Sequence, residues 1–182
     1  MATRFIILMG VCGCGKTTIG RDLAARLGWS FHDADDFHPP ENIARMASGQ
    51  PLTDEHRAGW LAALAAMIRA ELDAGRSGVL ACSALKQRYR DTLTVDAARV
   101  RFIHLSGSRA LIAARMAART DHFMKPGMLE SQFATLEVPT DALTFDIARA
   151  PDEIVQSILK AMALSEAPTD GGSATHDQGD LP

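Results

Sequence analysis

The segment Phe5-Ile6-Ile7-Leu8-Met9-Gly10-Val11-Cys12-Gly13-Cys14-Gly15-Lys16-Thr17 decides the fold. Its first five residues are apolar and are followed by glycine, a pattern that predicts a strand buried on both faces. Its last eight residues have the Gly-x-x-x-x-Gly-Lys-Thr spacing of the P-loop, or Walker A motif. In that motif, glycines let backbone N–H groups turn toward an anion, and the following helix adds the positive end of its dipole. The segment therefore predicts binding of the phosphates of a nucleoside triphosphate, ATP.

The residues of this loop have distinct expected roles. Lys16 is expected to reach the β- and γ-phosphates, and the Thr17 hydroxyl to ligate Mg²⁺. Further contacts to the phosphates are expected at Gly10, Gly13, Cys14, Gly15 and Thr18. The alternative interpretation is a glycine-rich turn with an exposed lysine.

Length and composition narrow the possible classes of protein. The chain has 182 residues, enough for one compact α/β domain, and its formal net charge of −3 gives no general attraction for nucleic acid. No apolar run approaches the roughly 20 residues that span a bilayer, so we expect a cytoplasmic protein with no membrane partner. The three cysteines do not form a disulfide framework. Cys12 and Cys14 are interpreted as small residues that fill the loop.

Predicted strands alternate with predicted helices along the chain. The strands are expected at 5–9, 29–32, 79–82, 100–105 and 143–147. The helices are expected at 16–27, from 53 or 54 to 73, and at 85–93, 108–119, 126–137 and 151–164, with a short helix within 33–52. This alternation predicts a parallel sheet with helices on both faces. One domain is expected over 1–164, followed by a disordered and dispensable tail at 165–182, which is rich in Gly, Ser, Thr, Asp and Pro.

An acidic pair follows the second predicted strand. Asp33 and Asp35 lie at the carboxyl end of that strand, where parallel sheets bind ligands. In a strand-like segment, two residues two apart point the same way. One carboxylate would then face Mg²⁺ and the other an acceptor hydroxyl. An exposed acidic loop or a helix cap explains the pair equally well.

Basic residues occur in the segments expected to flank an acceptor and a lid. Arg115 and Arg119 share a helical face directly before the loop 120–127, which suits a lid that brings arginines to the triphosphate. Solvated arginines have the same pattern. The residues expected to flank an acceptor are Arg45, Lys86, Arg88 and Arg90, for which a charged helix surface is the alternative. His38 and His122 lie in loops near these groups, and each is a weak signal alone.

The P-loop by itself leaves two classes of protein open. The chain lacks the Asn-Lys-x-Asp motif of guanine-specific switches and has no room for the additional elements of motor ATPases. A small kinase with a small acceptor is the first hypothesis. The second is an ATP-dependent binding or switch protein that carries out no chemistry.

Several segments carry a family resemblance. They include the stretches from His32 to Asn42, from Met46 to Asp54 and from Arg57 to Leu61, and also Cys82-Ser-Ala-Leu-Lys-Gln-Arg-Tyr-Arg-Asp91, His122-Phe-Met and the stretch from Leu129 to Glu137. Over about 5–164 the chain resembles the P-loop gluconokinases, relatives of shikimate kinase and the nucleoside monophosphate kinases. The resemblance implies a three-layer P-loop kinase fold with a five-stranded parallel sheet, and a homodimer. It implies Mg²⁺-dependent transfer of the ATP γ-phosphate to the 6-hydroxyl of D-gluconate, giving 6-phospho-D-gluconate. Shikimate or another polyhydroxy acid is the alternative acceptor.

The same resemblance implies roles for individual residues. Lys16, Asp35 and Arg119 would be catalytic, with Asp33 near Mg²⁺ through water. The arginines of the lid, Arg115 and Arg119, would bind the triphosphate, and the loop before Pro151 would border adenine. The residues implied for gluconate are Asp35, His38, Arg45, Ser83, Lys86 and Arg90.

The phosphate loop departs from the family pattern at two positions. The family usually has Ser where this chain has Cys12 and Cys14, and backbone N–H groups should bind phosphate equally well with either residue. A thiol at a helix N-terminus beside Lys16 has the setting of a lowered pKa. This suggests the hypothesis that oxidation or alkylation of Cys14 inactivates the protein and that ATP protects it.

Overall fold

The computed structural model describes residues 4–118 and 127–164 and contains a five-stranded, all-parallel sheet. The strand order is β2-β3-β1-β4-β5. The strands are β1 (Phe5–Met9), β2 (Ser30–Asp33), β3 (Gly78–Ala81), β4 (Val100–Ser106) and β5 (Leu143–Asp146). The predicted parallel sheet is confirmed, and all five strands lie within one residue of their predicted bounds.

Seven α-helices and one 3₁₀ turn accompany these strands in the described part of the chain. The helices are α1 (Lys16–Leu27), α2 (Pro40–Ala47), α3 (Asp54–Asp73), α4 (Gln87–Leu93), α5 (Arg109–Ala117), α6 (Met128–Thr135) and α7 (Pro151–Leu164), and the 3₁₀ turn is Ala34–Phe37. Local signals explain several of their ends. Thr53 caps α3, since its hydroxyl accepts from His56 N and His56 Nδ1 accepts from Thr53 N. Gly28 ends α1 in the left-handed conformation. None of the described helices is long and apolar enough to cross a membrane.

The central strand β1 separates two apolar clusters and so defines three layers. Ile6 and Leu8 face one cluster, which includes side chains of α1, α5 and α7. Phe5, Ile7 and Met9 face the other cluster, which contains the apolar side of α3 and part of α4. Because both faces of β1 are buried, its sequence is continuously apolar, as expected for a parallel sheet.

The helix expected at 108–119 spans Arg109–Ala117, and two other helices begin two residues later than predicted. The helix expected from residue 85 begins at Gln87, because Ala84 has a φ of 42° and Lys86 is extended. The helix expected from Pro126 begins at Met128, after Gly127 with a φ of 90°. Arg119, His122 and the predicted lid apart from Gly127 lie outside the described residues, as does the predicted tail at 165–182.

Candidate active site

The phosphate loop runs from the carboxyl end of β1 to the first turn of α1, with three glycines at positive φ. Gly10, Gly13 and Gly15 have φ values of 140°, 83° and 98°. Two features exclude a side chain at Gly10. A Cβ there would lie 2.6 Å from the Leu105 carbonyl oxygen, and residues other than glycine rarely adopt this φ. Glycines with positive φ allow the backbone N–H groups of such a loop to turn toward an anion, and this is how P-loops bind phosphate.

The Lys16 side chain folds back over this loop. Its Nζ donates to the carbonyl oxygens of Gly10 at 3.0 Å and Val11 at 3.1 Å. The ammonium group therefore lies against the first half of the loop, next to the amide of Cys12. This arrangement places the positive charge of Lys16 against the backbone of the loop.

Thr17 and Asp33 form the link between the phosphate loop and the acidic segment. Thr17 Oγ1 donates to Asp33 Oδ2 at 2.9 Å. The other oxygen, Asp33 Oδ1, accepts from Asp35 N at 3.2 Å and caps the 3₁₀ turn. Asp33 is thus a helix cap and a neighbour of the phosphate loop at once. A hydroxyl and a carboxylate are the hard oxygen ligands that Mg²⁺ prefers, so these two side chains fit that cation.

Asp35 reaches the site by a different geometry from the one expected. The strand-like segment assumed for Asp33 and Asp35 ends at Asp33, and Asp35 lies in the 3₁₀ turn. Partial burial raises the pKa of Asp35, and the Asp33 carboxylate raises it further, against the charges of His38 and Lys16. The side chain still has solvent contact, which moderates the rise. A raised pKa suits Asp35 to accept a proton.

His38 is held flat against Trp60 of α3. The two rings stack with centroids 4.4 Å apart and planes 13° apart. Trp60 Nε1 also donates to the Ala34 carbonyl oxygen at 2.7 Å, which fixes the turn that carries Asp35. Burial lowers the pKa of His38, Asp35 opposes this, and Arg57 lowers it further. The imidazole is therefore kept neutral near pH 7.

Lys86 belongs to a cationic cluster around Asp54, the first residue of α3. Lys86 Nζ lies 3.1 Å from both carboxylate oxygens of Asp54, and Arg88 and the Tyr89 hydroxyl also contact this carboxylate. Arg57 lies 6.0 Å from the centre of the Tyr89 ring. Arg57 thus adjoins both this cluster and His38, and it is a candidate for the acceptor site that the sequence analysis missed. Its position one turn into the capped helix α3 was the available signal.

Arg90 is buried, with 3% of its surface exposed. Its guanidinium donates to the carbonyl oxygens of Ala84 at 3.1 Å and Leu85 at 3.3 Å, and to Gln87 Oε1 at 2.7 Å. Burial lowers its pKa. In this structure Arg90 supports the loop between β3 and α4, and its predicted contact with a substrate stays a prediction.

That loop also contacts the phosphate loop. The Ser83 carbonyl oxygen accepts from Gly10 N at 3.3 Å. Burial raises the pKa of the neighbouring Cys82 to about 12, so this thiol is neutral. Cys14 is fully buried. The Cys14 thiol is therefore inaccessible to reagents in this structure, which argues against the hypothesis that it is readily alkylated.

The remaining predicted site residues are dispersed. Arg115 donates to the Ile147 carbonyl oxygen at 2.6 Å, which joins α5 to the loop predicted to border adenine. Arg45 donates to the Pro51 carbonyl oxygen at 3.1 Å on an exposed part of α2. The side chain of Thr18 is exposed in the first turn of α1.

Gln132 of α6 is a second residue that the sequence analysis did not assign. Its Oε1 accepts from Cys12 N in the phosphate loop at 2.6 Å. The two residues are 120 positions apart, so no local pattern predicts the contact.

A phosphate loop beside a hydroxyl–carboxylate pair, at the carboxyl edge of a 2-3-1-4-5 parallel sheet, defines a P-loop kinase. Comparisons with known proteins identify the family of kinases to which the chain belongs. The family model described as shikimate kinase matches residues 12–163. A gluconokinase of Gluconobacter oxydans is 43% identical over 86% of this chain and 90% of its own. The chain belongs to the gluconokinases of the shikimate kinase-like P-loop family.

Two solved structures support the same placement. An unliganded sugar kinase from Janibacter sp. HTCC2649 has a TM-score of 0.82 and 43% identity, covering 90% of this chain and 96% of that one. A gluconokinase from Sinorhizobium meliloti 1021 has a TM-score of 0.79 and 39% identity, covering 90% and 94%. The fold is therefore shared over nearly the whole length of each protein.

Proposed function

We propose that the protein transfers the γ-phosphate of ATP to the 6-hydroxyl of D-gluconate, giving 6-phospho-D-gluconate and ADP. The observation that carries the proposal is the bond between Thr17 and Asp33, which places an acidic turn against the phosphate loop. Membership of the gluconokinase family supports gluconate as the acceptor. Shikimate or another polyhydroxy acid is the alternative within kinases.

The proposed transfer depends on two side chains, Lys16 and Asp35. Lys16 exchanges its bonds to the loop carbonyls for bonds to the β- and γ-phosphates. The acceptor oxygen forms a bond to the γ-phosphorus while the bond from that phosphorus to the β–γ bridging oxygen breaks, and ADP leaves. The hydroxyl proton passes to Asp35, whose raised pKa suits it to accept a proton.

Thr17 and Asp33 are the residues that would hold Mg²⁺, Asp33 through water. When bound, the cation neutralises charge on the phosphate oxygens. Among residues 4–118 and 127–164, no group of three His, Cys, Asp or Glu side chains could hold a metal. Phosphate oxygens and water therefore complete its coordination in this proposal.

The acceptor site of the proposal lies between the acidic turn and the loop after β3. Its proposed residues are Asp35, His38, Arg45, Ser83, Lys86 and Arg90, to which the structure adds Arg57. The positive charges around Asp54 suit the carboxylate of a sugar acid. Arg115 and Arg119 complete the proposal as ligands of the triphosphate.

The same proposal also covers the assembly of the protein, its location and the limits of its domain. The protein is a homodimer in the cytoplasm, where ATP is available. Its catalytic domain spans 1–164, with a lid at about 120–127, and the tail 165–182 is dispensable.

A coupled assay of ADP release tests the function. With Mg²⁺ and ATP, we expect release that depends on D-gluconate, together with a product phosphorylated at the 6-oxygen by NMR. Release with shikimate but none with gluconate would overturn the choice of acceptor. ATP binding without turnover on any acceptor would instead favour the switch hypothesis.

A further inference from the structure

Helix α6 contributes one polar side chain to the phosphate loop. Gln132 Oε1 accepts the Cys12 N–H at 2.6 Å. A backbone N–H requires an acceptor, so the amide must present its oxygen to Cys12 and keep its NH₂ group for another partner. Within residues 4–118 and 127–164, Gln132 Nε2 has no hydrogen-bond acceptor. Two N–H donors thus lie next to the loop on a neutral side chain.

The contact lies at the end of the loop that receives the terminal phosphate. Lys16 Nζ binds the carbonyl oxygens of Gly10 and Val11, the two residues before Cys12. In P-loops this lysine reaches the β- and γ-phosphates. With ATP bound in this way, the Cys12 amide and Gln132 would lie next to the γ-phosphate rather than the nucleoside.

Packing holds α6 in this position independently of nucleotide. Phe133 and Leu136 pack against the core, and the guanidinium of Arg109 lies 5.1 Å from the centre of the Phe133 ring. Just beyond the helix, Glu137 N donates to the Leu85 carbonyl oxygen at 2.9 Å, and Glu137 Oε2 accepts from Gln87 N at 2.5 Å. The helix is therefore anchored at its far end to the loop before α4.

We propose that Gln132 is a ligand of the terminal phosphate of ATP: its carbonyl is fixed by the Cys12 N–H and its NH₂ group donates to a γ-phosphate oxygen. The biological role of this contact rests on the proposed kinase function. Its test measures nucleotide binding and does not depend on that function. A neutral donor fixed in this way favours ATP over ADP, because ADP has no γ-phosphate to receive the bond.

The substitution Gln132→Glu separates this role from that of a structural tether. Glutamate has the same shape and still accepts the Cys12 N–H, but it has no donor and carries a negative charge at pH 7.5. We expect the affinity for a non-hydrolysable ATP analogue to fall roughly 10- to 100-fold, and kcat to fall with it. The affinity for ADP should change less than about threefold. Isothermal titration calorimetry in excess Mg²⁺ measures both affinities without an acceptor.

Two further variants complete the experiment. Glu130→Gln is the matched control, because it also changes one charge on α6 but at an exposed position. It should leave both affinities unchanged. Gln132→Met removes acceptor and donor together and should also reduce the affinity for the ATP analogue more than that for ADP.

The proposed function is tested separately, by turnover of the wild-type protein with gluconate. The results below therefore bear on Gln132 alone. Wild-type affinities and kcat in Gln132→Glu would show that Gln132 only tethers the loop. Equal losses for ADP and the ATP analogue would show an effect on loop shape alone. Tighter ATP binding in Gln132→Met would show that Gln132 competes with the nucleotide. Each of these results would overturn the inference.

Discussion

Asp33 and Asp35 have different environments, and this difference underlies the roles proposed for them. Asp33 is fixed by bonds from Thr17 Oγ1 and Asp35 N. Asp35 instead has a pKa raised by partial burial and by the charge of Asp33. Neighbouring carboxylates in different environments commonly divide the work of ligand and base. Asp33 is thus suited to the cation and Asp35 to the proton.

The substitution Asp35→Asn tests this division. The variant cannot accept the hydroxyl proton, so kcat should fall roughly 10²- to 10⁴-fold while the affinity for an ATP analogue stays within about twofold. Steady-state kinetics and calorimetry measure the two quantities. Asp36→Asn is the control, because Asp36 is the adjacent carboxylate in the same 3₁₀ turn. Nearly unchanged turnover in Asp35→Asn would mean that positioning and charge stabilisation carry the reaction without a base.

The same substitution should change how stability depends on pH. A raised pKa means that the folded state holds the Asp35 proton more tightly than the unfolded state, so stability falls as pH rises from the unfolded pKa through the folded one. Asp35→Asn should therefore be more stable than the wild type at pH 7.5, by less than about 1 kcal/mol because the side chain is partly solvated. The advantage should disappear as pH falls below about 4. Thermal melts across this range measure it, and a difference that stays constant at every pH would show that ionisation of Asp35 is not its cause.

At the scale of elements, the loop between β3 and α4 depends on one buried guanidinium. Arg90 binds the carbonyl oxygens of Ala84 and Leu85, where Ala84 has a φ of 42°. These carbonyls belong to buried residues, and removing Arg90 leaves the Ala84 carbonyl oxygen without a hydrogen bond, while the Leu85 carbonyl oxygen keeps the bond from Glu137 N. The segment resembling the gluconokinases thus contains a residue whose contacts in this structure are with the protein itself.

Replacing this guanidinium separates support of the loop from contact with the substrate. Arg90→Met should lower the free energy of unfolding by about 1–3 kcal/mol, as measured by urea denaturation. Arg88→Met is the matched control on the same helix, where the exposed ion pair with Asp54 is worth less than about 1 kcal/mol. A large rise in the KM for gluconate with unchanged stability would show instead that Arg90 binds the acceptor directly.

The helices and strands were largely predictable from the sequence, while parts of the site were not. The reason is that the former depend on local patterns and the latter on contacts between residues far apart in the sequence. The strand at Phe5–Met9, the phosphate loop and the capped helix α3 each follow from a local pattern of apolar, glycine or capping residues. The 3₁₀ turn that carries Asp35 and the positive φ of Ala84 depend on tertiary contacts with Trp60 and Arg90. The contact of Gln132 with the phosphate loop joins distant segments and has no local signature. The sequence placed Asp33 at the end of β2 and left both a strand-like segment and a helix cap open, and the structure shows that Asp33 caps the turn that contains Asp35.

At the scale of the whole molecule, the composition of the chain predicts that its last segment contributes little. Residues 165–182 contain few apolar side chains able to join a core. A chain that ends at Leu164 should keep wild-type kcat and a melting temperature within about 1 °C. Activity assays and thermal melts of the two chains measure this. A loss of either property, or a change of mass in light scattering, would show that the tail serves activity, stability or assembly.

The proposed cation site has a consequence for the stability of the entire fold. A ligand that binds only the folded state stabilises it by about 2.7 kcal/mol at 100 times its dissociation constant. For a domain of this size that corresponds to a rise in Tm of about 5–10 °C with ATP and Mg²⁺. If Thr17 and Asp33 hold the cation, EDTA should reduce the rise, and Thr17→Val should show the same smaller rise with or without Mg²⁺. Thr92→Val, an exposed change in α4, should behave as the wild type. Every ligand that binds only the folded state adds to its stability, so removing a bound cation must lower the Tm. If EDTA left the rise in Tm with ATP unchanged, Thr17 and Asp33 would not hold a cation.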